Sequence, residues 1–133
     1  MIVRPSTNND GLAIRDLAKA CGVLDVAGLD WSYVEGGWLV LEHEKESVCG
    51  AIQLCPGRPI FRLEFLLVGP QLSKRERAEA VRLLCLSGLE VARQYRASAV
   101  YSMVRDGEHA WMNILERHGC HPISGGIMYK RVL

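Results

Sequence analysis

Alternating blocks of apolar and polar positions along this chain predict an α/β fold. Short apolar, β-branched and aromatic runs predict strands at residues 2–5, 38–42, 48–54, 60–68, 99–104 and 127–133. Apolar residues that recur every three or four positions predict helices at 12–21, 74–95 and 107–118. Segment 24–37 has no clean period and is interpreted as a loop with a short helix. The order indicates a sheet with mixed strand directions, in one domain spanning residues 1–133.

The stretch 60–104 carries the clearest structural unit of the chain. An apolar strand meets a turn at Gly69-Pro70, and an amphipathic helix then leads to a second apolar strand. Such a unit connects neighbouring parallel strands. The helix begins with the capping box Ser73-x-x-Glu76. Its internal Gly88 costs about 1 kcal/mol relative to Ala, which indicates close packing of the helix on a strand.

The first turn of this helix is basic. Lys74, Arg75 and Arg77 stand where the positive end of a helix dipole usually collects acidic residues. Free backbone N–H groups and the dipole at a helix start attract phosphate, so a bound polyanion would resolve the conflict. A solvated basic turn is the plain alternative, and the residues alone leave both interpretations open.

Composition narrows the class of protein. A net charge of +1 means that any electrostatic function must be local. No apolar run reaches the ~20 residues of a membrane helix, and the chain does not begin as a signal peptide does. The five cysteines form no Cys-x-x-Cys pair, which predicts reduced thiols in a cytoplasmic protein without a metal site. Nucleic-acid binding along 74–96 is disfavoured because Glu76, Glu79 and Glu90 interrupt the basic residues.

Several segments, taken in order, carry a family resemblance. They are Ile2-x-Arg4-Pro5 with Asp10 and Ala13-Ile14-x-x-Leu17; Trp38-Leu39-Val40 followed by Val48-Cys49-Gly50-Ala51-Ile52; Leu63 to Pro70; Leu115-Glu116-Arg117-His118-Gly119; and Met128 to Leu133. Together they resemble the GNAT acetyltransferase superfamily over nearly the whole chain. The resemblance implies an α/β fold with a mixed, mostly antiparallel sheet, splayed parallel strands 4 and 5, and flanking helices.

The same resemblance implies a protein that uses acetyl-CoA as co-substrate and acetylates an amine. The pantetheine arm would bond the fourth strand at Leu66, Leu67 and Val68, and the pyrophosphate would rest on the following helix start. The residues implied at that helix start are Ser73, Lys74, Arg75, Arg77 and Ala78. The implied general base is Glu64, and Tyr101 on the fifth strand, or a water, is the candidate general acid.

Plain structural roles compete with these assignments. Glu64 could face solvent or pair with Arg62 or Arg4, and Tyr101 could be a packing residue. The acceptor, a small molecule or a protein, cannot be identified. Segments 24–37 and 120–126 would line its site, where Asp30, Trp31, Tyr33 and Glu35 could form a slot for a cation. The oligomeric state stays open, with a homodimer among the options.

Two departures from the family pattern favour a second hypothesis. The family's phosphate loop carries glycines, which let the backbone approach phosphate closely, and this chain has none between Gly69 and Gly88. The family's acidic Tyr is replaced by Leu115, which cannot donate a proton. The alternative is therefore a catalytically inactive GNAT-fold module for binding or assembly. Such a pared-down fold would suit a compact viral or mobile-element genome.

Overall fold

A mixed five-stranded sheet organises the part of the chain that the structure, a computed structural model, describes: residues 1–23, 37–43, 48–102, 104 and 108–123. Its strands are β1 (Ile2–Pro5), β2 (Trp38–Glu42), β3 (Val48–Cys55), β4 (Ile60–Val68) and β5 (Ala99–Ser102). Its helices are a 3-10 turn (Asn8–Asp10), α1 (Gly11–Ala20), α2 (Lys74–Gln94) and α3 (His109–Arg117). The predicted final strand at 127–133, the hairpin turn at 44–47 and all but the last residue of segment 24–37 lie outside the described residues.

The strand order β1-β2-β3-β4-β5 follows the chain, and the directions are mixed as predicted. The first three pairings are antiparallel, and β4 and β5 are parallel because α2 returns the chain to the same end of the sheet. The predicted strand–turn–helix–strand unit is confirmed. Gly88 also lies where expected, since a Cβ added there would come within 2.9 Å of Cδ2 of Leu63 on β4.

A β-bulge interrupts β4 opposite Ile52. Ala51 pairs with Leu67 and Gln53 pairs with Glu64, so one residue of β3 faces two residues of β4. Phe65 takes the strained conformation in this bulge, with φ at +49°. The extra residue shifts by one position the alternation of β4 side chains between the two faces of the sheet.

Each face of the sheet is covered by a different helix. The α2 face holds the larger core, which includes Phe61, Leu63 and Leu66 of β4 and also receives α3. The α1 face holds the smaller core, to which β4 contributes Leu67 and, partly buried, Phe65. Residues 61 and 63 thus face α2 before the bulge, and residues 66 and 68 do so after it.

A charged cluster fastens the start of the chain to the sheet. The Arg4 guanidinium donates to both carboxylate oxygens of Asp10, over 2.7 and 2.9 Å, and to Glu42 of β2 over 2.7 Å. Asp10 also accepts from the Thr7 N–H at 2.7 Å and is only 6% exposed. Arg4 is therefore engaged at this corner, and the alternative pairing of Arg4 with Glu64 does not form.

The thiols and helices of the described part match the sequence-based expectations. All five cysteines are free thiols. No helix in the described ranges combines the length and apolar character needed to cross a bilayer.

Candidate functional site

The pairing of β4 with β5 stops halfway along β4. The register runs from Ile60 opposite Ala99 to Leu63 opposite Ser102, and the Ser102 hydroxyl donates to the Leu63 carbonyl over 2.9 Å. Among the described residues, nothing on β5 pairs with the second half of β4. We call this place, where the two strands part beyond Leu63 and Ser102, the opening.

At the opening, the backbone of β4 has groups that point away from β3. The Gly69 N–H donates to the Cys49 carbonyl over 2.8 Å, so the N–H and C=O of Gly69, and by alternation those of Leu67, point toward β3. The groups of Leu66 and Val68 then point the other way. Of the three residues expected to hold the pantetheine arm, Leu66 and Val68 are placed to do so through the backbone and Leu67 is not.

One thiol already reaches this edge. Cys21, just past the end of α1, donates to the Val68 carbonyl over 3.3 Å. This contact could not be predicted from the sequence, because it joins residues 47 positions apart. A ligand amide that used the Val68 carbonyl would have to share it with this thiol or displace it.

Five residues separate the end of β4 at Val68 from the start of α2 at Lys74. The three basic residues of this helix start, Lys74, Arg75 and Arg77, are exposed, and none of them forms an ion pair with another described residue. The backbone N–H groups of Lys74 and Arg75 also lack a partner in the described part of the chain. This helix start therefore offers cationic side chains and free donors next to the opening. Ala78, one turn in, is exposed as well.

The capping box fills part of the same helix start. The Ser73 hydroxyl accepts from the Glu76 N–H at 3.2 Å, and the Glu76 carboxylate accepts from the Ser73 N–H at 2.7 Å. The bond from Ser73 holds the pKa of Glu76 below its ordinary range, with a smaller contribution from His43, whose Nε2 lies 3.3 Å away. The N–H and the hydroxyl oxygen of Ser73, which was expected to bind phosphate, are thus both hydrogen-bonded to Glu76. The carboxylate of Glu76 is an anion of the chain itself that already lies at this helix start.

Glu64 lies on the α1 face, immediately after Leu63, the last residue of β4 that pairs with β5. Its side chain is 18% exposed, and Oε1 lies 3.3 Å from Nη1 of Arg62. Its Oε2 lies 3.8 Å from Sγ of Cys55 on β3. The ion pair with Arg62 was the structural alternative raised for this residue, and it is present. It leaves the carboxylate at the opening, with an oxygen directed to each of two neighbours.

Tyr101 shares this face of the sheet. It pairs directly with Arg62 in the parallel register, and paired residues of neighbouring strands point to the same side. The neighbouring Val100 packs into the α2 core, which places Tyr101 on the opposite face with Glu64. The structure therefore brings both candidate catalytic residues to one face beside the opening.

Leu115 lies elsewhere. It is 6% exposed on α3 and belongs to the core of the α2 face. This position supplies packing in the present chain, and of the two tyrosines in the described residues, Tyr95 and Tyr101, Tyr101 is the one that lies in the sheet. Within the described ranges, no three His, Cys, Asp or Glu side chains come together as a metal site would require.

Sequence analysis missed Cys55 as a neighbour of Glu64. The signal that could have found it is the hairpin between β3 and β4, whose register sets Cys55 opposite Arg62 and Gln53 opposite Glu64. Diagonal neighbours on one face of an antiparallel pair lie within reach of each other. To predict this register from the sequence, the length of the turn at 56–59 would have to be predicted correctly.

Comparison with known proteins gives a clear result for structure and none for sequence. No protein-family model matches the chain, and no curated protein sequence matches it. A solved structure described as a probable acetyltransferase is similar with a TM-score of 0.69 and 10% identity, covering 93% of this chain and 92% of the other.

Several similar structures contain CoA, of which two serve as examples. One is Rv2747 from Mycobacterium tuberculosis in complex with CoA, with a TM-score of 0.65, 17% identity and coverage of 99% of this chain and 81% of that one. The other is an aminoglycoside N-acetyltransferase, AAC(6')-Iy, in complex with CoA, with a TM-score of 0.63, 12% identity and coverage of 92% and 93%. The chain has the fold of the GNAT acetyltransferases, as the sequence resemblance implied.

Proposed function

We propose that this protein is an acetyl-CoA-dependent N-acetyltransferase. The observation that carries the proposal is the opening: a carboxylate and a phenol on one face, an unpaired strand edge beside them, and a basic helix start in line with that edge. The CoA-bound structures with the same fold support acetyl-CoA as the co-substrate. The proposed acceptor is an amine of a small molecule or of a protein.

Each element of the opening has a task in this proposal. The backbone of Leu66 and Val68 would hold the pantetheine arm by strand-like hydrogen bonds, and Arg75 and Arg77 would meet the phosphates through charge. Acetyl-CoA supplies a thioester that is open to direct attack by an amine. The chain's part is to bring the amine close, take its proton and return a proton to the departing thiolate.

Glu64 and Tyr101 are the proposed proton carriers. Glu64 would take the proton of the amine directly or through one water, because a carboxylate at the opening is within reach of a substrate held there. Tyr101 would donate the phenol proton to the thiolate from the neighbouring strand. No covalent intermediate with the enzyme is needed.

The decisive experiment compares the turnover of Glu64→Gln with that of the wild-type protein on a panel of amines. The amide keeps the shape and loses the basicity, so turnover should fall by roughly 10²-fold or more while CoA affinity stays nearly constant. Glu90→Gln, an exposed glutamate on α2 paired with Arg93, is the matched control and should behave as wild type. Undiminished turnover in the Glu64→Gln protein would remove this residue from the mechanism.

A CoA-binding module without catalysis is the second candidate. The burial of Leu115 in the core favours it, because this side chain supplies packing where a proton donor would be needed. CoA binding measured by calorimetry together with no acetyl transfer to any amine would select it. Acetyl transfer that is sensitive to Tyr101→Phe as well as Glu64→Gln would select the enzyme.

A further inference from the structure

The two carboxylate oxygens of Glu64 are held by different neighbours. Oε1 lies 3.3 Å from the Arg62 guanidinium, and Oε2 lies 3.8 Å from the Cys55 thiol, within the range of a sulfur hydrogen bond. Arg62 and Cys55 face each other across the β3–β4 pairing. The three side chains therefore form one cluster on the α1 face, with Glu64 between a cation and a thiol.

The thiol in this cluster is a donor rather than a nucleophile. Burial first, and then the charge of Glu64, raise the pKa of Cys55, while Arg62 acts in the opposite direction. A thiol with a raised pKa stays protonated near neutral pH, and the thiolate is the form that attacks carbonyls. An acetyl group carried on Cys55 is disfavoured for this reason. An S–H group beside an ionised carboxylate can donate a hydrogen bond to it.

We propose that Cys55 is a positioning residue for Glu64, whose Oε2 it holds while Arg62 holds Oε1. The last torsion of a glutamate side chain is broad when nothing restrains it. Contacts from two directions narrow that torsion and keep one orientation of the carboxylate toward the opening. The inference rests on the proposed function, since it assigns a role to a neighbour of the proposed base.

The kinetic test uses Cys55→Ala and Cys55→Ser in the wild-type protein and in Glu64→Gln. Cys55→Ala should lower kcat by about three- to tenfold with KM little changed, because orientation of the base is lost and substrate binding is not. Cys55→Ser keeps a donor and should recover most of kcat. In the Glu64→Gln background, Cys55→Ala should have no further effect.

A control variant distinguishes a positioning role of Cys55 from a packing role. Cys85→Ala removes another thiol, one that packs in the core of the α2 face, on the opposite side of the sheet from Glu64, and should leave kcat unchanged. An equal loss from Cys55→Ala in both backgrounds would show a packing effect and overturn the proposal. So would an acetylated Cys55 found by mass spectrometry after a single turnover.

A second measurement needs no turnover at all. The pH dependence of alkylation by iodoacetamide, localised to Cys55 by fragmentation mass spectrometry, reports the protonation of the thiol. Loss of the neighbouring negative charge in Glu64→Gln should move the alkylation midpoint to lower pH, and Arg62→Gln should move it to higher pH. The midpoint of Cys120 in the same samples should not move.

The two measurements keep the inference and the proposed function distinguishable. An unmoved Cys55 midpoint in both variants overturns the positioning contact whether or not the protein is an enzyme. Shifts of opposite sign with no turnover on any amine would leave the contact standing and overturn the proposed function.

Discussion

At the scale of single residues, a nearly buried ion pair lies away from the opening. Asp10 accepts two bonds from Arg4 and two from Thr7, and Arg4 also donates to Glu42, so the cluster joins β1, the 3-10 turn and β2. The bond from Arg4 holds the pKa of Asp10 far below its ordinary range. A carboxylate with a lower pKa in the folded state stabilises folding above the unfolded pKa, and this stabilisation is lost as pH falls.

Replacement of Asp10 should therefore change both stability and its dependence on pH. We expect Asp10→Asn to lower the free energy of unfolding by about 2–4 kcal/mol at pH 7, because Arg4 loses a buried partner. The wild-type protein should lose its advantage as pH falls below about 4, where the unfolded carboxyl takes up a proton. Urea unfolding at a series of pH values measures both effects.

The exposed Asp16 of α1 provides the control for this measurement. Asp16→Asn makes the same chemical change on the helix that follows Asp10, at a carboxylate that forms no ion pair with another described residue, and should stay within about 0.5 kcal/mol of wild type. A similar loss in both variants would assign the effect to the charge of this region rather than to the Arg4–Asp10 contact.

At the scale of elements, the sequence predicted the frame of the fold well. The bounds of β1, β2, β4 and α2 agree with the periodicity within about one residue, since caps and turns are encoded locally. The apolar stripe of α2 is also confirmed, except that Tyr95 is 45% exposed beyond the helix end, with its ring against Phe61. The parallel pairing of β4 and β5 followed from the helical connection between them.

What the sequence did not predict depends on register between distant segments. The bulge at Phe65 leaves no mark in the run from Phe65 to Val68, because that run is apolar on both faces. The contact of Cys55 with Glu64 depends on the hairpin register, and that of Cys21 with Val68 on the packing of α1. The capping box was predicted, but its carboxylate was not recognised as a competitor for the phosphate position.

The basic start of α2 gives a prediction at this scale. The double variant Arg75→Ala and Arg77→Ala should weaken CoA binding, and more strongly at low than at high salt, because salt already screens part of the attraction. Calorimetric titration at two ionic strengths measures the difference. The pair Arg93→Ala and Arg96→Ala removes equal charge at the far end of α2 and should leave CoA affinity unchanged.

A substitution of Glu76 at the same helix start should change CoA affinity in the opposite direction. Glu76→Gln removes the negative charge but retains an acceptor for the Ser73 N–H, so CoA affinity should rise at low salt by a few-fold. Equal affinities for the double arginine variant, Glu76→Gln and wild type would identify this helix start as a solvated basic turn.

At the scale of the whole molecule, the net charge of +1 gives no general attraction for an anion. Under the proposed function, binding of CoA would then come from the opening and the helix start, and it would stabilise the folded state only. At 100 times its dissociation constant, CoA should add about 2.7 kcal/mol. For a chain of this size, Tm should rise by on the order of 10 °C.

Differential scanning calorimetry with acetyl-CoA, CoA and adenosine diphosphate measures this effect. Acetyl-CoA and CoA should raise Tm alike, and the nucleotide alone should raise it less because it leaves the edge at Leu66 and Val68 unfilled. No shift at millimolar acetyl-CoA or CoA would contradict CoA binding in both candidate functions.

The bulge makes β4 one residue longer than the alternation of its side chains requires. A strand one residue shorter, without Phe65, would keep Leu66 and Val68 on the α2 face and Leu67 on the α1 face, opposite the same residues of β3. The alternation of side chains therefore does not require this residue, whose left-handed backbone costs on the order of 1 kcal/mol. Its side chain packs partly into the core of the α1 face, so deletion of Phe65 should give a more regular sheet and remove that contact. A strained backbone at this point is what we expect where a gap between two strands, rather than their packing, is the useful product.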